Sequence, residues 1–372
     1  MILSGARVIT PEQVLESGWV RVDGDRIADL GEGSPPDGET VDLAGRWLVP
    51  GYVDMHVHGG GGAAFQSGAA EDVGRAVEYH RSQGTTTMLA SLVTRPLDEM
   101  VESVARLREL VAAGLIAGIH LEGPFLAAAR CGAHDPALLR DPDRDAVGRL
   151  LEAGADAIAM VTLAPELENG LGAVRQIVEA GVVAAVGHAD ATYDVTRQAI
   201  EAGARVATHL FNGMPAVHHR DPGPVLALLE DSRVVVELIH DGEHLHDSVL
   251  RGVFSAVRAD RVALVSDAIA ASGLGDGSYL LGDLDVVVQN GTARLADGGS
   301  LAGSTLTMAE AVRNSVAAGV DVPDAVRSAS TTPARALGLD AGAIEAGRPA
   351  DLLVLDANLG VTSVMRAGAW TD

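Results

Sequence analysis

Length, charge and composition already exclude several classes of protein. The chain has 372 residues, enough for one large domain and a small one, and its formal net charge of -24 argues against nucleic acid or an anionic membrane as a partner. A single cysteine excludes an intrachain disulfide, and the absence of lysine excludes a Schiff-base, phosphate-loop or carbamylated lysine.

The first residues contain no basic segment that leads into a long apolar run, so we expect no signal peptide. No uncharged apolar run approaches the ~20 residues that a membrane helix needs. These features predict a soluble protein of the reducing cytoplasm.

Both ends of the chain have the pattern of short strands separated by turns. Apolar runs at 6–9, 18–22 and 26–30 precede a Gly- and Pro-rich turn at 31–38, and further runs lie at 352–355 and 361–365. We therefore expect residues 1–47 and 345–372 to meet in one small β-sandwich domain beside the central body.

Residues 48–344 repeat one unit about eight times, a short β-branched run followed by a helical stretch, which predicts a (β/α)8 TIM barrel. Helices are expected at 72–80, 98–112, 144–153 and 194–201, the last capped by Asp194. Asn290-Gly291 between alternating apolar residues predicts a β-hairpin insertion near 279–295. The predicted barrel strands are 48–58, 85–93, 115–122, 158–164, 182–188, 205–209, 234–240 and 262–267.

His56 and His58 end the first predicted barrel strand and would point to the same face of it. Two imidazoles on one face can bind one metal ion, and the glycines at 59–62 would let the backbone approach a ligand closely. The alternative is a pair of partly buried structural histidines.

Catalytic groups of TIM barrels lie at the C-terminal ends of the strands. Each such residue alone has a structural alternative, but their joint occurrence favours a metal site. Nitrogen and oxygen donors suit zinc, iron, manganese or cobalt, and the residues alone do not choose among these metals. The predicted strand ends carry His56, His58, Glu122, His188, His209, His240, Asp241 and Asp267.

Several motifs resemble one known family. The segment 50–58, Pro-Gly-Tyr-Val-Asp-Met-His-Val-His, resembles the opening motif of the amidohydrolase superfamily. Within it, His-Leu-Glu-Gly-Pro-Phe at 120–125, Gly-His-Ala at 187–189, Thr-His-Leu-Phe-Asn-Gly-Met at 208–214 and Val-Ser-Asp-Ala at 265–268 resemble the N-acetylglucosamine-6-phosphate deacetylases. Leu-Ala-Gly-Ser at 301–304 and Thr-Thr-Pro-Ala at 331–334 add to the match. The motifs at 120–125 and 209–214 are highly specific, whereas His-x-His marks only the superfamily.

The resemblance implies hydrolysis of the acetamide of N-acetylglucosamine 6-phosphate, in amino sugar catabolism and cell-wall sugar recycling. It makes Glu122, His188 and His209 ligands of a catalytic divalent metal, with Glu122 in the place where relatives have a carbamylated lysine. Because His56 and His58 are also present, one or two ions per subunit are expected. The resemblance also makes Asp267 the general base and His134 the donor that stabilises the tetrahedral oxyanion.

An acidic protein needs local positive charge to bind a sugar phosphate. Arg220 can bind phosphate oxygens through two N–H groups, and His244 resembles a second phosphate or sugar contact. In the family the arginine can reach across a dimer interface, which implies a homodimer. Cys131 either touches the substrate or is a small loop residue. The predicted lining of the sugar site is Ala133, Asn212, Gly213, Leu301, Ala302 and Gly303.

Two other functions remain as alternatives. One is an amidohydrolase acting on a cyclic amide or an N-acyl amino acid, against which Arg220 and His244 favour a phosphorylated substrate. The other is a catalytically silent barrel retained as a binding protein. Such a protein should lack a metal ligand or Asp267, and none is missing from the sequence.

Overall fold

Eight parallel strands form the centre of the protein in a computed structural model that describes residues 1–371. Each strand pairs with the next along the chain, and the Asp267 N–H donates to the His56 carbonyl at 2.9 Å, which joins the last strand to the first. The predicted (β/α)8 barrel is therefore confirmed. Its strands are Tyr52–Asp54, Thr85–Leu92, Gly118–Glu122, Ile158–Leu163, Val183–Val186, Val206–Ala207, Val235–Leu238 and Val262–Leu264.

Helices surround this sheet and bury one apolar face each against it. The cap of Tyr193–Ala202 differs from the prediction: Thr192 accepts the Val195 N–H through its hydroxyl, and Asp194 lies inside the first turn. The helices are Ala70–Ser82, Leu97–Ala112, Arg144–Gly154, Gly170–Glu179, Tyr193–Ala202, Gly223–Glu230, Asp247–Val257, Met308–Ala317, Val322–Ser328 and Thr331–Leu337.

The first predicted barrel strand is in fact divided between two sheets. Trp47–Pro50 pairs with Leu352–Leu355 outside the barrel, and only Tyr52–Asp54 belongs to the barrel. The chain passes between the two sheets at Gly51. A Cβ at this position would lie 2.1 Å from the Thr86 hydroxyl oxygen. The chain therefore passes from one sheet to the other at a position where only glycine fits.

The small β domain unites the two ends of the chain, as expected. Its strands form a single eight-stranded sheet around a separate apolar core that includes Leu3, Val20 and Leu352. The strands are Ile2–Ile9, Val14–Asp23, Arg26–Glu32, Thr40–Asp42, Trp47–Pro50, Leu352–Leu355, Val361–Arg366 and Ala369–Thr371.

An antiparallel three-stranded sheet follows the eighth barrel strand, where the sequence predicts a hairpin. Asn290 and Gly291, with φ of 51° and 78°, form its second turn. Val286 and Val288 pack in one apolar cluster with Val93 and Ile269, which follow the second and eighth barrel strands. The strands are Gly277–Leu281, Leu284–Gln289 and Thr292–Leu295. A separate two-stranded pair, Gly59–Gly60 and Ala63–Ala64, lies in the loop after the first barrel strand.

Among residues 1–371, no helix combines the length and the apolar character that a bilayer crossing requires.

Candidate active site

A cavity of about 360 Å³ opens at the carboxyl ends of the barrel strands. Most of the predicted site residues line it, although they come from distant parts of the sequence. His56 lies beneath the cavity, fully buried, and contacts residues that line it. The lining includes His58, Glu122, Ala133, His134, His188, His209, Asn212, Gly213, His244, Asp267, Leu301 and Gly303.

One oxygen of Glu122 and two imidazoles form a first set of possible metal ligands. Glu122 Oε1 lies 3.1 Å from His188 Nε2 and 3.0 Å from His209 Nε2, and the two nitrogens are 3.1 Å apart. A tetrahedral zinc site with bonds of ~2.0–2.1 Å separates its ligand atoms by about 3.3 Å. The three atoms can therefore bind one ion.

A second set uses the other oxygen of Glu122. Glu122 Oε2 lies 3.1 Å from His58 Nε2 and 3.5 Å from His56 Nε2, and the two imidazole nitrogens are 3.1 Å apart. Asp267 Oδ1 lies 3.2 Å from His58 Nε2 and 3.5 Å from His56 Nε2. The two oxygens of Glu122 therefore face different sets of imidazoles.

Hydrogen bonds fix the tautomer of three of these histidines. Each uses Nδ1–H to donate to an oxygen that can only accept, so in the neutral ring Nε2 carries the lone pair and is directed at Glu122. Metal-binding histidines typically have such an acceptor behind them. The acceptors are Glu237 Oε2 for His56 at 3.1 Å, the Ser91 carbonyl for His58 at 3.2 Å and the Arg130 carbonyl for His188 at 2.7 Å.

His134 has the opposite tautomer. The Thr94 backbone N–H donates to its Nδ1 at 3.3 Å, so the ring proton lies on Nε2, which is 3.4 Å from Glu122 Oε2. Burial lowers the pKa of His134 to about 4, so the ring is neutral at pH 7. Glu122, His134 and His188 are close enough to bind an ion together, but this tautomer makes His134 a hydrogen-bond donor.

The cluster concentrates negative charge in a buried space. Burial raises the pKa of Glu122 and of Asp267, but the facing imidazoles, His56 first among them, together outweigh it and hold both pKa values below their usual range. Burial lowers the pKa of His56, yet the facing carboxylates raise that pKa well above its ordinary value. Without a metal, protons on the imidazoles balance the carboxylates; a bound cation would replace them.

Three of the cluster residues leave their strands in a left-handed backbone conformation. The φ angles are 47° for His188, 25° for His209 and 48° for Asp267. Residues other than glycine rarely adopt this region, and those that do are frequent at active sites.

Of the two predicted phosphate contacts, His244 lies in the cavity and Arg220 lies outside its lining. His244 lines the cavity and its Nδ1 lies 2.7 Å from Asp241 Oδ2. Burial lowers the pKa of His244, but the Asp241 carboxylate outweighs it and raises the pKa. Arg220 is exposed, lies outside the cavity lining and places Nη1 2.8 Å from His219 Nε2.

Ala302 differs from the predicted lining. Leu301 and Gly303 line the cavity, whereas Ala302 between them is fully buried in the apolar cluster that includes Ile269. Cys131 is partly exposed and lies outside the lining; its carbonyl accepts the His134 N–H at 3.0 Å.

Sequence reasoning missed three residues of the site. Arg130 is the arginine of the cavity lining, and its Nε donates to Asp190 Oδ1 at 2.8 Å. Glu237 supports His56, and its signal was a lone charged residue inside an apolar strand. His120 lies under the cluster, with its ring 4.5 Å from that of His56.

Known proteins resemble this chain over its whole length. The sequence model of the amidohydrolase family matches residues 47–371. An N-acetylgalactosamine-6-phosphate deacetylase from Escherichia coli O157:H7 is 34% identical, covering 99% of this chain and 98% of that protein. An N-acetylglucosamine-6-phosphate deacetylase from Lysinibacillus sphaericus is 33% identical, with coverages of 94% and 92%.

Among solved structures, a mutant N-acetyl-D-glucosamine-6-phosphate deacetylase from Mycobacterium smegmatis, in complex with N-acetyl-D-glucosamine-6-phosphate, is 49% identical to this chain. It superposes with a TM-score of 0.97 and covers 100% of this chain and 98% of its own.

Proposed function

Because this chain belongs to the amidohydrolase family, we propose that it hydrolyses the acetamide of N-acetylglucosamine 6-phosphate, releasing acetate and glucosamine 6-phosphate. The observation that carries the proposal is the convergence of Glu122, His188 and His209 on one point of a cavity that also contains a cationic side chain. One relative is named for the galactosamine epimer, so both epimers belong in the substrate panel that tests it.

Amidohydrolases are generally metal-dependent, and the two donor sets fit divalent cations. We propose zinc first, then iron, manganese or cobalt, with Glu122, His188 and His209 holding one ion and His56 and His58 a second. An ion bound there would act as a Lewis acid and make water a better nucleophile at neutral pH.

The protein's own groups move the protons. Asp267 is the proposed general base: it takes a proton from the attacking water and passes it to the departing amine. Its lowered pKa keeps the carboxylate ready to accept that proton at pH 7. His134 points its Nε2–H into the same space, where the proposed role is to donate to the developing oxyanion.

Replacing His134 by Gln should lower kcat roughly 10²- to 10³-fold with little change in KM, because a donor placed where charge develops acts mainly in the transition state. Acetate release measures both constants. His246→Asn is the matched control, since His246 caps a helix and Asn also caps well. Wild-type kcat in His134→Gln would remove this residue from the oxyanion role.

The phosphate needs cations, and the cavity supplies two. Arg130 keeps both Nη groups available while its Nε is bound to Asp190, and His244 carries a raised pKa. Arg220 lies outside the cavity lining, so we propose that it serves the cavity of a second subunit in a homodimer. We also propose a cytoplasmic location, where sugar phosphates are metabolised.

Replacing Arg130 by Met should raise KM for the phosphorylated sugar roughly 10- to 100-fold, because a charge-assisted hydrogen bond contributes ~1.5–3 kcal/mol. The KM for the unphosphorylated sugar should stay near the wild-type value. The measurement is therefore the ratio of the KM for the phosphorylated sugar to the KM for the unphosphorylated sugar. Arg75→Met, an exposed helix position, removes the same charge elsewhere. An unchanged ratio in Arg130→Met would exclude a phosphate contact.

A further inference from the structure

Glu237 is a fully buried carboxylate in the middle of the seventh barrel strand. Its Oε2 accepts from His56 Nδ1 and from the backbone N–H of His209, each at 3.1 Å. Its Oε1 has no hydrogen-bond partner within residues 1–371. A carboxylate in a barrel interior is costly unless its charge is compensated, so an apolar residue would fill this position at lower cost.

The contact with His56 gives this carboxylate a specific role. By accepting Nδ1–H, Glu237 fixes the ring orientation and directs Nε2 of His56 towards His58, Glu122 and Asp267. His58 and His188 rely on backbone carbonyls for the same purpose, so His56 is the histidine among these three whose orientation depends on a side chain.

We propose that Glu237 is a positioning residue that sets the affinity of the second proposed ion, the one held by His56 and His58. A carboxylate behind a metal-binding imidazole raises its basicity and restricts its rotation, and losing such a partner typically weakens binding 10- to 100-fold. The inference rests on the proposed second metal site. It requires that replacing Glu237 weaken the binding of that ion more than the binding of the ion held by His188 and His209.

A glutamine variant can separate an effect on the ion of His56 and His58 from an effect on the ion of His188 and His209. Because one oxygen, Oε2, accepts from both His56 and His209, the carbonyl oxygen of a glutamine at position 237 can still accept both bonds, but the neutral amide removes the negative charge behind His56. Glu237→Gln therefore tests the carboxylate charge behind His56 while preserving the acceptor for the His209 N–H.

The experiment measures zinc retention by the full-length protein. Wild type and Glu237→Gln are saturated with zinc and equilibrated against graded chelator concentrations, and zinc per chain is counted by mass spectrometry. Val236→Ala is the control, because its buried side chain points to the opposite face of the same strand. Val236→Ala should destabilise the barrel and leave both zinc affinities at the wild-type values.

We expect wild type to retain two zinc ions, and Glu237→Gln to lose one of them at a roughly 10- to 100-fold lower chelator concentration. If Glu237→Gln does not fold, Glu237→Asp, whose carboxylate is one methylene shorter, should show a smaller loss of the same ion. Equal retention by variant and wild type, equal weakening of both ions, or a wild type that retains one ion would each overturn the proposal. Acetate release by wild type in the same samples reports separately on the proposed function.

Discussion

Asp267→Asn should lower kcat for acetate release about 10³-fold, within the 10²- to 10⁴-fold range that general acid–base groups contribute. Asparagine preserves the shape of the side chain but cannot accept the proton of the attacking water at neutral pH. The ion of Glu122, His188 and His209 should remain, because Asp267 contacts only the other donor set. The measurements are kcat and metal content of the purified variant.

Asp276→Asn is the matched control for Asp267→Asn. Asp276 is an exposed carboxylate that accepts two backbone N–H groups outside the cavity, so its replacement should leave kcat unchanged. Near wild-type turnover in Asp267→Asn would exclude Asp267 as the base. Complete loss of metal together with turnover would assign it to metal binding instead.

Glu122→Gln should weaken metal binding and lower kcat roughly 10³- to 10⁵-fold, since a metal ion contributes several kcal/mol to the stabilisation of the transition state. Both oxygens of Glu122 face imidazole nitrogens, and the amide nitrogen that replaces one of them has no lone pair to offer an ion. Metal per chain and acetate release are the two readouts.

Glu345→Gln, on the surface of the small β domain, controls for the lost charge and should behave as wild type. A Glu122→Gln protein that keeps both its metal and its turnover would contradict the role of Glu122 as a metal ligand.

The sequence was sufficient to locate the cluster because residues at the C-terminal ends of barrel strands lie close together in space. Glu122, His188, His209 and Asp267 each follow an apolar run, and a closed parallel barrel brings all such strand ends to one rim. Their distances and tautomers could not be predicted, since these depend on acceptors such as the Ser91 and Arg130 carbonyls that any residue would provide.

The differences between the predicted and the observed structure also arise from contacts that the local sequence does not specify. Trp47–Pro50 is apolar in either sheet, and its partner Leu352–Leu355 lies about three hundred residues away, so local pattern could not assign it. Ala302 was expected in the lining with its neighbours, but the turn at Gly303, with φ of 58°, leaves the Ala302 side chain buried in an apolar cluster. Glu237 was passed over because a single charge did not change the apolar pattern of its strand.

The most direct test of the account is acetate release from N-acetylglucosamine 6-phosphate by the protein as purified, after chelation, and after a divalent ion is restored. We predict one acetate per sugar, loss of activity on chelation, recovery with the ion, and much slower hydrolysis of the unphosphorylated sugar. Full activity after the metal has been removed, or no acetate from the phosphorylated sugar at any metal loading, would contradict it.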